Sequence, residues 1–328
     1  MGRRAVAAGR RLQLAFGLLV VAAVALLAMF SLQPAGAPPS CGAAVPRAIS
    51  HRGFDREHGD KGTSGASFQR LLGSGLRSYD LDLFWTADER SDLYVGHPPT
   101  LLSRWGLAPP MSAHYSSELL ARIGVSEDGP SLPLSLTELL RIVRRAPEAV
   151  DLISLELKEP EHARWVAQLR RVVSSIRRSG LESKFSLIVS STPQAILHRR
   201  VQDSAGVKIK LDQVIRDIDA PRDASGAPRA NLSAARAEVA AVGVECNGWS
   251  ISAKLLRKDL GAEGNGAPVD VWVVDDEALL RRAVVARVAG VVSNRPLWLR
   301  DRLRHFQEQA CRDEQRRTRP AGLLLQQP

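Results

Sequence analysis

The chain has 328 residues, of which 45% are hydrophobic and 5% aromatic, and its formal net charge is +10. This length allows one large domain or two ordinary ones, with a core filled mainly by aliphatic side chains. The arginines recur on several predicted helices instead of forming one basic run. No zinc-ligand spacing, RNA-binding signature or basic heptad is present, so we expect no nucleic-acid partner. The composition defines no oligomeric state.

The N-terminal segment is basic over residues 1–13 and then apolar, without a charge, over residues 14–32. An apolar run of this length spans a bilayer as one helix, and the preceding basic residues orient such a helix with its N-terminus in the cytoplasm. The sequence therefore predicts a signal anchor and a single-pass membrane protein whose remaining chain is lumenal, periplasmic or extracellular. A cleaved signal peptide, with Ala35-Gly36-Ala37 before the cleavage point, is the alternative.

A linker rich in Pro, Ala and Gly occupies residues 33–46, and strand-like and helix-like segments then alternate over residues 47–309. Eight strands separated by helices favour an α/β fold of the (β/α)₈ TIM barrel type. A doubly wound open sheet is the alternative, but no glycine-rich phosphate loop supports it. Residues 310–328 are predicted to form a loose tail. The eight predicted strands are Arg47–Ser50, Ser78–Phe84, Leu152–Leu157, Phe185–Val189, Val207–Leu211, Val242–Glu245, Val269–Val274 and Gly290–Ser293.

Helical patterns lie between these strands and after the last of them. The predicted helices are Ser64–Leu76, Ser135–Arg145, Pro160–Ser179, Thr192–Val201, Ala230–Ala241, Ala253–Leu260, Asp276–Val288 and Pro296–Gln309.

The segment Leu93–Val95 does not fit this alternation, because too few residues separate it from the second strand for a crossover helix. We therefore predict that it is the returning arm of a hairpin above the carboxyl-terminal rim of the barrel. The charged turn lies near the midpoint between Asp82 and His97. A hairpin that leaves the barrel mouth at Asp82 returns to it at about His97.

The unusual polar residues are all predicted near carboxyl ends of strands, where this barrel type builds its active sites. They are His51, Arg52, Asp80, Asp82, His97, Glu156 and Lys158.

Three converging carboxylates would repel one another unless a cation neutralised them, and ligands that are all oxygen suit Mg²⁺ or Ca²⁺. Positively charged groups beside that cation fit a phosphate ester, which Arg52 and Lys158 would provide. His51 and His97 can take and give protons near neutral pH.

The cysteines lie at Cys41, Cys246 and Cys311. In an oxidising compartment Cys41 and Cys311 could pair and join the two ends of the fold, with Cys246 free and buried. Three unpaired thiols are the alternative.

Several segments, in order, resemble motifs of the glycerophosphodiester phosphodiesterase family. "ISHRG" is similar to its His-Arg-Gly opening, and "YDLDLFWTADERSDLYVGH" to its paired-acid strand, turn and second histidine. "SLPLSLTELL" and "LISLELK" resemble the approach to its third strand and its Glu-x-Lys motif. "SLIVSST" and the stretch from "VDVWVV" to "SNRP" resemble later strands. The resemblance covers roughly residues 47–305.

The resemblance implies a metal-dependent barrel enzyme that hydrolyses a glycerophosphodiester or a related phospholipid-derived substrate. By position, it implies Asp80, Asp82 and Glu156 as ligands of one divalent cation, Mg²⁺ or Ca²⁺. It implies His51 and His97 as the catalytic acid/base pair. The remaining implied contacts are Arg52 and Lys158 with the substrate phosphate, and Trp272 with the glycerol end.

The chain departs from the family pattern at three of these motifs. Asp80 stands where the family usually has Glu, Pro98 where an Asp usually follows the second histidine, and Val273 where a Thr follows the tryptophan. Two alternatives therefore stay open. One is a catalytically weak barrel that binds phosphate esters or proteins, and the other is a phospholipase of the sphingomyelinase D type.

Overall fold

The computed structural model describes residues 45–60, 63–85, 92–97, 133–158, 162–216, 231–256, 260 and 266–318. All of them belong to one compact unit, residues 39–328. None of the helices within these ranges is long and apolar enough to cross a membrane. The predicted anchor at residues 14–32, the linker before residue 45 and Cys41 lie outside the described residues.

The predicted barrel is confirmed: eight parallel strands form a closed ring in which β1 pairs with both β2 and β9. A ninth strand, β3, is antiparallel to β2. The strands are β1 (Arg47–His51), β2 (Ser78–Phe84), β3 (Tyr94–Val95), β4 (Leu152–Leu157), β5 (Phe185–Val189), β6 (Lys210–Ile215), β7 (Gly248–Ser252), β8 (Val269–Trp272) and β9 (Gly290–Ser293).

Seven α-helices surround this ring within the described residues. They are α1 (Gly65–Gly73), α2 (Leu136–Arg145), α3 (His162–Ser179), α4 (Thr192–Ala205), α5 (Leu232–Ala241), α6 (Glu277–Val285) and α7 (Pro296–Thr318). Helix α7 continues nine residues past its predicted end at Gln309. The predicted helix Ala253–Leu260 is wrong at its start, where Ala253–Leu255 form a 3-10 turn.

Polar side chains fix where the helices begin. Ser64 accepts a hydrogen bond from the backbone N–H of Ser67 (3.1 Å), and Ser135 accepts one from that of Glu138 (3.1 Å). Asp276 does the same for Leu279 (2.9 Å). Such caps satisfy N–H groups that have no partner inside the helix.

Two strands lie later in the chain than predicted. The strand expected at Val207–Leu211 runs over Lys210–Ile215, and the one expected at Val242–Glu245 runs over Gly248–Ser252. The apolar residues around Val244 instead end helix α5, where Gly243 has a left-handed φ of 72°.

The alternation of side chains along β2 explains why this barrel has a polar interior. Tyr79, Leu81 and Leu83 are fully buried and belong to the core between the strands and the helices, and the ring of Phe68 lies 4.6 Å from that of Tyr79. Successive side chains of a strand point to opposite faces. Asp80 and Asp82 therefore project into the barrel.

A second group of polar side chains lies inside the barrel near the amino ends of the strands. The guanidinium of Arg47 donates to both carboxylate oxygens of Asp270 (2.9 and 2.8 Å). Asp212 lies against Gly248, where a Cβ would come within 2.6 Å of its Oδ1. Gly248 therefore makes room for a carboxylate within a strand, and burial raises the pKa of Asp212 to about 6.

His198 of helix α4 is fully buried, and its ring meets the ring of Trp165 edge-on at 5.1 Å. Neither ring nitrogen has a hydrogen-bond partner among the described residues. Burial lowers the pKa of His198 from 6.5 to about 3. The folded state therefore holds this imidazole neutral, and protonation below pH 6.5 favours the unfolded state.

We expect His198→Leu to weaken the loss of stability in acid. Above pH 6.5 the imidazole is neutral in both the folded and the unfolded state, so it does not oppose folding. As the pH falls from 6.5 towards 3, only the unfolded state takes up the proton, and the free energy of unfolding decreases. Between pH 7 and pH 5 the loss amounts to about 2 kcal/mol of unfolding free energy. Urea unfolding at both pH values measures it. If His198→Leu lost as much stability as the parent between these pH values, buried His198 would not be the cause of the acid sensitivity. The control is His305→Leu, at an exposed histidine of α7.

Candidate active site

The hairpin predicted from the sequence is present and brings β3 back to the mouth of the barrel. Leu83 pairs with Val95, and the backbone N–H of Gly96 donates to the carbonyl oxygen of Asp82 (2.8 Å). His97 follows directly, and the same charged groups that act on the other site residues act on its pKa. The hairpin therefore brings His97 to the carboxyl end of β2, near these charged groups.

The carboxylates of Asp82 and Glu156 lie side by side, because these two residues are paired in the register of β2 and β4. The ammonium of Lys158 lies 3.3 Å from Asp82 Oδ1 and 2.7 Å from Glu156 Oε1. Arg52 Nε lies 3.4 Å from Asp82 Oδ2, and Arg216 Nη2 lies 3.2 Å from Glu156 Oε1. Burial opposes the charge on Lys158, but the two carboxylates outweigh it and raise its pKa.

Asp80 differs from the other two acids because its carboxylate makes no ion pair or hydrogen bond within the described ranges. Burial, and then the charges of Asp82 and Glu156, raise its pKa well above the usual value. A buried carboxylate without a compensating partner is costly to ionise. Asp80 is therefore the acid of this cluster that most needs an added positive charge.

The turn after β1 places Arg52 over the site. Arg52 and Gly53 have left-handed φ values of 67° and 70°. A Cβ on Gly53 would lie 2.8 Å from Leu81 Cδ2, so this turn needs glycine both for its backbone conformation and for space. The backbone N–H of Arg52 donates to the carbonyl oxygen of Asp80 (2.6 Å), which ties the turn to β2.

His51 is held by a polar chain that begins on the last strand. Its Nδ1 lies 2.8 Å from Asn294 Oδ1, and Asn294 Nδ2 donates to Asp275 Oδ2 (2.6 Å). The carboxylate can only accept, so the amide NH₂ of Asn294 faces Asp275 and its oxygen faces His51. The proton of neutral His51 therefore sits on Nδ1, and Nε2 keeps a free lone pair.

Both histidines are neutral at pH 7. Burial, followed by the charge of Arg52, lowers the pKa of His51 to about 4. Burial also lowers the pKa of His97 to about 4; Asp82 opposes this shift, and Arg52, Lys158 and Arg216 add to it. An anion bound at the cationic groups would raise both pKa values, because it favours imidazolium.

Trp272 ends β8 and is paired with Ser252 and Val292, which places it at the same end of the barrel as the histidines. Its indole Nε1 has no hydrogen-bond partner among the described residues. This N–H is itself buried, so the half-buried indole offers its apolar ring near the mouth.

The donor chemistry of the acidic cluster fits a hard divalent cation, because all three side chains offer oxygen and Asp80 has no ion-pair or hydrogen-bond partner in the part of the chain that the structure describes. In the described part of the chain, no group of three or more His, Cys, Asp or Glu side chains has an arrangement that could hold a metal ion. The Lys158 ammonium lies between Asp82 and Glu156 in this conformation.

Three site residues were not anticipated from the sequence: Arg216, Asp275 and Asn294. Arg216 directly follows β6, which ends at Ile215, four residues after its predicted end at Leu211. Asn294 directly follows β9 as His51 ends β1. Asn294 could have been predicted as a polar residue directly after a predicted strand. Arg216 could have been predicted in the same way if the end of β6 had been placed at Ile215.

Comparison with known proteins identifies the fold. No protein-family model matches the chain, and no curated protein matches it. A Galdieria sulphuraria protein assigned as a glycerophosphodiester phosphodiesterase has a TM-score of 0.63 at 19% identity, and the match covers 80% of this chain and 99% of that one.

Two further solved structures match in the same way. A glycerophosphodiester phosphodiesterase from Parabacteroides distasonis has a TM-score of 0.59 at 18% identity, covering 80% of this chain and 99% of its own. An Oleispira antarctica phosphodiesterase, solved with the product sn-glycerol-3-phosphate, has a TM-score of 0.56 at 15% identity, with 80% and 98% covered. At such identities the likeness shows a shared fold, the TIM barrel.

Proposed function

We propose that the chain is a divergent glycerophosphodiester phosphodiesterase, a phosphoric diester hydrolase that depends on a divalent cation. The observation that carries the proposal is the convergence of two neutral histidines, three carboxylates and three cationic groups at the carboxyl end of the barrel. The product-bound fold neighbour from Oleispira antarctica supports a glycerophosphodiester as the substrate class.

Asp80, Asp82 and Glu156 would hold the cation, Mg²⁺ or Ca²⁺. When bound, it would supply charge stabilisation for the phosphoryl oxygens as negative charge develops. The ammonium of Lys158 contacts Asp82 and Glu156 through one nitrogen. Together with Arg52 it would bind the substrate phosphate, as cationic donors do at transferring phosphoryl groups.

His51 acts as the base in this scheme, because Asn294 leaves its Nε2 lone pair free to take a proton from the attacking hydroxyl or water. His97 gives a proton to the leaving alcohol. It must first be protonated, and the bound phosphate anion favours this by raising its pKa. The Trp272 ring packs against the glycerol end of the substrate in this scheme.

Exchanging Asp275 and Asn294 tests how His51 is held. The double variant Asn294→Asp/Asp275→Asn keeps one carboxylate and one amide in contact, but the carboxylate now faces His51 Nδ1. We expect the variant to be active, with the acidic limb of kcat/KM moved up from about pH 4 towards neutral, because a nearby carboxylate favours imidazolium. The single variant Asn294→Asp sets two carboxylates against each other and should be much less active. An unchanged pH profile in the double variant would contradict this role of Asn294.

We also propose that residues 14–32 anchor the protein in a membrane, with the N-terminus in the cytoplasm and the barrel lumenal, periplasmic or extracellular. The apolar length and the preceding basic residues support this proposal.

A substrate screen tests the proposed reaction. The purified chain is incubated with glycerophosphodiesters, sphingomyelin and an aryl phosphodiester, each with Mg²⁺, with Ca²⁺ and with EDTA. We expect turnover of glycerophosphodiesters that EDTA abolishes. Turnover of sphingomyelin alone would favour a sphingomyelinase-D-like phospholipase. Binding without any turnover would favour a binding module.

A further inference from the structure

A second basic site lies on the outer wall of the barrel, in a groove of about 560 Å³ between helices α3 and α4. Arg170, Arg177 and Arg200 line it together with the hydroxyls of Ser174 and Ser204. Its floor is apolar and consists of Leu197, Val201 and Ala205. The lining contains no carboxylate.

The three guanidiniums of the groove are exposed and make no ion pair or hydrogen bond within the described residues. Two neighbouring arginines have other contacts: the guanidinium of Arg171 lies over the ring of Trp85, 5.9 Å from its centroid, and Arg199 donates to the carbonyl oxygen of Glu245 (3.5 Å). The groove thus brings together three guanidiniums that have no contact of either kind within the described residues. An anion held among them would relieve their mutual repulsion.

Spacing along the helices supports one ligand shared by both. Arg170, Ser174 and Arg177 are four and three residues apart, so they form one stripe of α3. Arg200 and Ser204 form the facing stripe of α4 in the same way. Guanidinium forks and hydroxyls together suit the oxygens of a phosphate group, and the apolar floor suits the carbon atoms attached to it.

The groove is remote from the histidines. Each helix begins after the carboxyl end of its strand and runs back, so the second halves of α3 and α4 lie near the amino ends of the strands.

We propose that the groove binds the phosphate group of an anionic glycerophospholipid, with the attached carbon atoms against its apolar floor. The same phosphate chemistry could come from a soluble phosphate ester, so the test includes both sources.

The test uses the full chain in nonionic detergent. Isothermal titration calorimetry measures binding of dioctanoyl phosphatidylglycerol, glycerol 3-phosphate and, for comparison, zwitterionic dioctanoyl phosphatidylcholine. The groove variant is Arg170→Gln/Arg177→Gln/Arg200→Gln. The control, Arg304→Gln/Arg312→Gln/Arg316→Gln, removes the same charge from exposed positions of α7.

We expect phosphatidylglycerol to bind at the groove of the parent and the control, and at least tenfold more weakly at that of the groove variant; any binding at the barrel mouth should be the same in all three proteins. Hydrolysis should be equal in all three proteins, because the groove lies outside the barrel. Loss of glycerol 3-phosphate binding alone in the groove variant would assign the groove to soluble phosphate esters. Equal binding of both probes by the groove variant and the control would overturn the proposal, and it would leave the proposed hydrolase function untouched.

Discussion

Replacing His51 with alanine is expected to lower kcat for phosphodiester hydrolysis by about 10²–10⁴-fold, which is the usual contribution of a positioned base. The structure gives the physical reason. Asn294 holds the proton on Nδ1, so Nε2 is free to accept a proton, and the lowered pKa keeps the ring neutral above about pH 4. Steady-state kinetics with a glycerophosphodiester measure the effect.

The matched control for this experiment is His305→Ala, which changes an exposed histidine of α7. Circular dichroism verifies that both variants are folded. If His51→Ala and His305→Ala hydrolysed the substrate at similar rates, His51 would not be the base. If His51→Ala did not fold, His51→Gln would replace it, because glutamine keeps a polar side chain next to Asn294. This variant should be folded but should show the same loss of activity.

The second large effect is expected from Asp82→Asn. Asp82 contacts both Arg52 and Lys158, lies in register with Glu156, and is a proposed ligand of the cation. Removing its charge should lower activity at least about 100-fold, since even the outer partners of metal ligands contribute 10–100-fold.

Metal binding gives the readout that separates this role from a structural one. The melting temperature of the parent should rise when Mg²⁺ or Ca²⁺ is added, because a ligand that binds the folded state stabilises it. Asp82→Asn should show little of this rise. The control Asp301→Asn, at an exposed position of α7, should show all of it. Normal activity and a normal metal response in Asp82→Asn would exclude Asp82 as a ligand.

The hairpin and the first half of the site could be predicted because their signals are local. Asp80 and Asp82 alternate with Leu81 and Leu83 in one strand, and this spacing places both acids on the inner face. The short distance from Asp82 to the next apolar segment excluded a crossover helix and left only a hairpin. His97 followed from the symmetry of that hairpin.

Residues that depend on closure of the barrel could not be predicted in the same way. His51 and Asn294 are 243 positions apart and meet only because β1 pairs with β9. The contact between Gly248 of β7 and the carboxylate of Asp212 likewise joins residues from different strands, and it explains why a glycine lies in this strand.

The structure shows the surroundings of Asp80, which stands where the family that the chain resembles usually has a glutamate. Its shorter carboxylate makes no ion pair or hydrogen bond within the described residues, and its pKa is raised by burial and by its two acidic neighbours. A bound cation would reverse this shift, because it would favour the ionised carboxylate. The acid that departs from the family pattern is thus also the one whose charge state is most sensitive to metal.

The proposed hydrolase activity is tested most directly by ³¹P NMR of glycerophosphocholine incubated with the purified chain and Mg²⁺ or Ca²⁺. We expect the diester resonance to be replaced by that of glycerol 3-phosphate or a cyclic phosphate, and EDTA to stop the conversion. A diester resonance that persists unchanged while the folded chain binds the diester would contradict the proposal.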